Sequence, residues 1–162
     1  ILNPYYLKEY QLNWYVEGYL TETKDRRTFG LDRIMGLKLR SENSFVRDDN
    51  YENHYQKHIG IDSNGIFKPN RSEKIRLQLN PFFSNFVTNN PIHFSQKLIK
   101  TDKKGFSIFE FEIVINNELI GEIMRMDKGC KVLGPKKLVD YIKKLLGEMS
   151  SQYSVNTSIS WY

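Results

Sequence analysis

The segment Leu12-Asn13-Trp14-Tyr15-Val16-Glu17 decides the reading of the first half of the chain. Leu12, Trp14 and Val16 alternate with Asn13, Tyr15 and Glu17. A period of two predicts a strand with an apolar, core-facing side formed by Trp14 and Val16, and an opposite side that carries Tyr15. Thr21–Asp25 is a polar turn. Beyond it, Arg27, Phe29, Leu31 and Arg33 share one face of the next strand, and Thr28, Gly30 and Asp32 share the other. Met35–Arg40 predicts a further short strand. Short strands so close together predict a small antiparallel barrel or meander. A barrel needs about five strands to close. The sequence begins at Ile1 rather than Met, so a first strand is expected before Ile1 and the chain is expected to be a piece of something longer.

Working outward, Asp48-Asp49-Asn50 followed by Tyr51, Tyr55 and Ile59 predicts a short capped helix. Residues 60–72, with Gly60, Gly65 and Pro69, are the expected linker. The expected order then becomes clear. Lys74–Leu79 is a strand, and Asn80-Pro81 caps a helix bearing Phe82, Phe83, Phe86 and Val87. Strands follow at Ile92–Lys100 and Phe106–Ile115. Asn116 and Asn117 open a helix with Leu119, Ile120, Ile123 and Met124, ended by Gly129. Cys130–Leu133 is a strand, and Pro135 starts a last helix with Leu138, Tyr141, Ile142, Leu145, Leu146 and Met149 on one stripe. This β-α-β-β-α-β order is that of a ferredoxin-like split βαβ domain. The expected class is α+β. The expected domains are a barrel with a short helix over 1–59, a linker over 60–72, an α/β domain over 73–153 and a tail over 154–162.

Composition narrows the function. The chain has 162 residues, 40% hydrophobic and 27% charged, which fits a globular protein and not a disordered one. No apolar run approaches the ~18 residues of a membrane span, and no signal-peptide pattern opens the sequence. With Cys130 the only cysteine, no intrachain disulfide and no Cys-rich zinc site can form. The expected location is cytoplasmic, with no membrane partner. Net charge is +5, carried by residues 61–162, yet Lys24, Arg26, Arg27 and Arg33 crowd into ten residues of the neutral half.

Catalytic and metal chemistry find no assembled set. His54 and His58 lie four apart, too few ligands for a metal without a further donor. Cys130 sits in an apolar strand and reads as a structural thiol. Glu110 and Glu112 share a strand face but lie near Lys103 and Lys104, an ordinary charged surface. The expectation is a non-enzyme with no catalytic residues, no metal and no cofactor.

The constellation that remains is Trp14-Tyr15-Val16 with Arg26-Arg27-Thr28-Phe29-Gly30-Leu31-Asp32-Arg33-Ile34. In a hairpin, the Tyr15 ring could lie near a guanidinium. Guanidinium forks clamp phosphate and an aromatic ring stacks on a base, so Tyr15, Arg26, Arg27 and Arg33 are candidate ligand-binding residues. A structural reading competes: Arg33 could pair with Asp32 or Glu17, with Phe29 and Leu31 as core.

Three passages carry a family resemblance: Pro4-Tyr5-Tyr6-Leu7, Asn13-Trp14-Tyr15-Val16-Glu17-Gly18-Tyr19 and Arg27-Thr28-Phe29-Gly30-Leu31-Asp32-Arg33-Ile34. Together they resemble the WYL domain of bacterial transcription regulators, with Val16 in place of the eponymous leucine. His93-Phe94-Ser95-Gln96, Glu118-Leu119 and Val132-Leu133-Gly134-Pro135 resemble the WCX extension that follows it. The resemblance implies an Sm-like, SH3-type β-barrel followed by an α/β domain. It implies an effector-sensing and dimerisation region, a homodimer, and promoter DNA held by a winged helix-turn-helix outside this sequence. It also implies a nucleic-acid or nucleotide-like effector at Tyr15, Arg27 and Arg33. Gly30 departs from the arginine many members carry there. By alternation Arg26, a possible substitute, points the other way. The alternatives are a direct single-stranded nucleic-acid-binding module without a switch, and a protein-interaction scaffold using Tyr5–Tyr19.

Overall fold

The computed structural model describes residues 1–39, 57–61, 65–67 and 71–154. The protein is of mixed α+β class, with antiparallel strand pairs and, among the described residues, three α-helices. It divides into two compact units. One holds Ile1–Glu73 with Ile113–Arg125, the other Lys74–Glu112 with Met126–Tyr162.

The first unit is built on three antiparallel strands in the order β1 (Leu2–Tyr10), β2 (Asn13–Leu20), β3 (Asp25–Gly30). Gln11 and Leu12 form the β1–β2 turn, both with positive φ (50° and 64°). That is the twist a two-residue hairpin needs, and Asn13 Nδ2 donates to the Gln11 carbonyl at 3.0 Å. Leu12 is therefore a turn residue, not the first apolar residue of a strand. Trp14 is 53% exposed and Val16 7% exposed, so only Val16 is buried, which corrects the core assignment of Trp14. Among the described residues the sheet is open. Met35–Leu39 form no strand, and Leu31–Arg33 is a 3-10 turn rather than a continuation of β3. The alternation read through Arg33 thus stops at Gly30. The expected helix over 48–59 lies almost wholly outside the described residues, and Lys57–Ile59 are not helical.

Helix α2 (residues Asn117–Arg125) belongs to this unit. Its apolar stripe, Leu119, Ile120 and Ile123, is buried. Asn116 caps it: Oδ1 accepts the Leu119 N–H at 3.0 Å, while Nδ2 donates to the Ile59 carbonyl at 2.8 Å. The backbone bonds Val114 N–H to Lys57 O and Ile66 N–H to Ile115 O, both 2.7 Å, hold segments 57–61 and 65–67 to the start of the helix.

The second unit carries a four-stranded sheet in the order β5 (Lys97–Thr101), β6 (Ser107–Val114), β4 (Ser72–Leu79), β7 (Cys130–Gly134). The helix α1 (Pro81–Asn89) and the helix α3 (Lys136–Ser154) complete it. Asn80 Oδ1 accepts the Phe83 N–H at 2.9 Å, with Pro81 at the first helical position. Among the described residues, Ile75, Leu77, Leu79, Val87, Phe109, Phe111, Met126 and Leu138 are its buried apolar side chains. β5 starts at Lys97, not Ile92, because side chains capture the preceding backbone. Gln96 Oε1 accepts the Ile92 N–H at 3.1 Å, and Gln96 Nε2 donates to Val87 O at 2.8 Å.

Candidate ligand-binding cleft

The hairpin register sets which side chains share a face. Tyr15 stands opposite Gly30, Glu17 opposite Thr28, and Tyr19 opposite Arg26. Paired residues point to the same side of a sheet, so Arg26 and Thr28 share the face of Tyr15. Arg27, opposite Gly18, belongs to the reverse face. This inverts the expectation that alternation turns Arg26 away from the tyrosine. The sequence leaves the Tyr15–Gly30 pairing open, because period two alone does not fix how two strands align.

On that face lies a cleft of about 700 Å³, whose lining also takes in Arg27, although its strand position belongs to the reverse face. The sheet contributes Tyr10, Tyr15, Arg26, Arg27 and Thr28, and helix α2 contributes Asn117, Glu118, Gly121, Glu122 and Arg125. These α2 positions form the stripe opposite Leu119, Ile120 and Ile123. A volume of this size lies in the usual range for small-molecule sites, about 300–1,000 Å³. Tyr15, Arg26 and Arg27 thus come together. Arg33 does not join them: it lines a separate hollow of about 270 Å³ with Thr28, Phe29, Gly30 and Ile34. The Arg27 guanidinium pairs with Asp25 (Nη2–Oδ2 3.0 Å).

Charge around the cleft is mixed. Arg125 pairs with Glu122 one turn earlier on α2. Glu118 Oε1 accepts the Ile61 N–H at 3.0 Å, which ties segment 57–61 to the helix. Burial, joined by the neighbouring Glu118 and Glu122 carboxylates, pushes the Tyr10 phenol above its ordinary value, so it stays a neutral donor. Lys8 donates to the Gly60 carbonyl. Burial pulls the Lys8 ammonium down, and the charges of Glu17 and Glu118 pull it partly back. Glu17 is 2% exposed. Gly60 has φ +70°, and a Cβ there would lie 2.2 Å from Glu118 Cγ. Only glycine fits this close approach.

The other sequence candidates fall elsewhere. Glu110 accepts from Arg76 Nε at 2.9 Å and Nη2 at 2.8 Å, and so serves as an ion-pair partner. Burial pushes the Cys130 thiol up to about 12. His58 is buried, and His54 lies outside the described residues. Among the described residues no three His, Cys, Asp or Glu side chains group as a metal site, and no helix is long and apolar enough to cross a membrane. The α2 contribution to the cleft is absent from the sequence reading. Its only signal is the polar stripe of an amphipathic helix.

Comparison with known proteins gives two family matches: the WYL domain over residues 1–39 and the WCX domain over residues 71–150. No curated protein matches the chain. Among solved structures, proteasome accessory factor B/C (PafBC) of Arthrobacter aurescens is similar, with 16% identity and a TM-score of 0.44. That alignment covers 95% of this chain and 22% of PafBC.

Proposed function

From a chain that carries a WYL domain over residues 1–39 and a WCX domain over residues 71–150, we infer the ligand-sensing region of a transcription regulator. In this reading a nucleic acid or nucleotide is the effector. Its phosphate meets Arg26 and Arg27, and its base meets the rings of Tyr15 and Tyr10. The observation that carries the reading is the single cleft that gathers Tyr15, Arg26 and Arg27. Guanidinium groups bind phosphate by paired, charge-assisted hydrogen bonds, and tyrosine offers a flat stacking surface.

The regulator would act as a cytoplasmic homodimer on promoter DNA through a helix-turn-helix domain outside this sequence, without catalysis. We read the second unit as ferredoxin-like, which the strand order β5-β6-β4-β7 supports, and the first as the open part of an Sm-like barrel. Binding shifts a two-state equilibrium. Moving 1:99 to 99:1 requires about 5.5 kcal/mol of differential binding, and two or three charge-assisted contacts of about 1.5–3 kcal/mol each supply it.

The test is fluorescence anisotropy of labelled short single-stranded DNA and RNA at low and moderate salt. Saturable binding that is lost in Arg26→Ala/Arg27→Ala is expected. Binding unchanged by that pair sinks the cleft as the effector site.

A further inference from the structure

Helix α2 spends a glycine where nothing in the packing asks for one. Gly121 lies in the middle of Asn117–Arg125, at ordinary helical φ, and a Cβ placed on it meets no atom within 4 Å. Glycine inside a helix is less stable than alanine, so neither strain nor crowding explains it. Gly121 lines the cleft, one residue before Glu122 and one turn from Arg125, and the Tyr10 and Tyr15 side chains line the same space from the sheet. A bare backbone there keeps the wall of the cleft flat.

Resting on the proposed nucleotide site, we propose that α2 is its base-reading wall. Gly121 admits a planar base between the helix and the tyrosines, and Glu122 accepts hydrogen bonds from the base edge. This predicts the base. A carboxylate is an acceptor only. Guanine presents two adjacent donors, N1–H and N2–H, which match its two oxygens in a fork. Uracil presents one N–H flanked by two carbonyl oxygens, which a carboxylate repels. The Glu122–Arg125 pair holds the carboxylate in place. The site is therefore bipolar: arginines Arg26 and Arg27 toward phosphate, the α2 carboxylate toward a guanine edge.

The experiment is calorimetric titration of the full chain with GMP, IMP and UMP, for the wild type and for Gly121→Ala, Glu122→Gln and Arg26→Ala/Arg27→Ala. Thermal melts accompany each variant. The expected order is GMP over IMP over UMP, with at least a tenfold GMP preference over UMP. Glu122→Gln should abolish that preference by weakening GMP and by relieving the repulsion of UMP. Gly121→Ala should raise the melting temperature yet weaken GMP at least tenfold, a pairing of signs that a purely structural glycine does not produce. Equal GMP and UMP affinity, both lost in the double arginine variant, overturns the base-reading wall and leaves the nucleotide cleft standing. Gly121→Ala that raises the melting temperature with GMP binding intact also overturns it. No binding of any nucleotide overturns both.

Discussion

The guanidinium of Arg33 lies over Gly30. A Cβ at residue 30 would sit 2.8 Å from Arg33 Nη2 and 3.0 Å from Nε. Gly30 faces Tyr15 across the hairpin, so Arg33 folds back over the space that a side chain opposite the tyrosine would fill. Arg33 also faces Asp32 (Nε–Oδ1 3.9 Å), and both side chains are largely exposed. An exposed pair of this kind is worth about 0–1 kcal/mol. Gly30→Ala should therefore push aside two flexible side-chain ends and shift stability by only about 0.5 kcal/mol, read by urea denaturation. Arg33 does not line the main cleft, so Arg33→Ala should weaken nucleotide binding less than Arg26→Ala does. Equal losses in the two titrations would return Arg33 to the main site.

Lys8 and Gly60 meet next to the Ile61–Glu118 bond that ties segment 57–61 to helix α2. Lys8 donates to the Gly60 carbonyl beside buried Glu17. Removing one member of a buried charged group strands the other, at about 3–5 kcal/mol, and Lys8→Met should cost toward the lower end because Lys8 is only partly buried. Gly60→Ala combines an αL backbone, about 1–2 kcal/mol, with a Cβ driven into Glu118. Both variants should lower the urea midpoint, and Gly60→Ala should also weaken cleft binding by displacing Glu118. An unchanged midpoint in Gly60→Ala would show that segment 57–61 does not bear on the helix.

The strand pattern is legible where each strand's own sequence decides it. β2, β6 and α1 follow from alternation and capping at Val16, Phe109, Phe111 and Asn80. Trp14 escapes such a reading because it shares the face of buried Val16 but stands at the turn end of the hairpin, opposite Glu9, where that face is open to solvent. Arg26 escapes it because the hairpin register is a property of two strands together. The α2 side of the cleft is hidden for the same reason. Glu118, Glu122 and Arg125 look like any solvated helix stripe until long-range packing lays them beside Tyr10 and Tyr15. Arg33 parts from the other candidates because its strand ends three residues early, in a 3-10 turn that alternation does not signal.

Cys130 is predicted to be inert in the folded protein. Burial holds its thiol near a pKa of about 12, and the thiolate is the reactive form. Iodoacetamide at pH 8 should alkylate the folded chain many times more slowly than the urea-unfolded chain, read by mass spectrometry. The same shift has a stability consequence. Above pH ~8.5 the unfolded thiol ionises while the folded one does not. The unfolded state then binds fewer protons, so this group lowers stability as pH rises toward 12. Cys130→Ala should therefore lose less stability than the wild type between pH 8 and pH 10. Parallel pH profiles for the two proteins would mean the thiol is exposed.

Asn116 links the helix to the segment that borders the cleft. It is fully buried, accepts the Leu119 N–H with Oδ1 and donates to the Ile59 carbonyl with Nδ2. Asn116→Ala removes a cap worth about 1 kcal/mol and strands a carbonyl at about 1–3 kcal/mol, a combined loss of about 2–4 kcal/mol. Asn116→Asp separates the two roles. The carboxylate still caps the helix, but it has no donor for Ile59 and sets an oxygen against an oxygen. If capping dominates, Asn116→Asp should melt close to wild type. The geometry predicts the other outcome, an aspartate variant about as unstable as the alanine one, because the amide N–H is the donor that ties the residue to segment 57–61. Since Glu118 and Ile61 both border the cleft and are joined to each other, that variant should also bind nucleotide more weakly at temperatures where it remains folded.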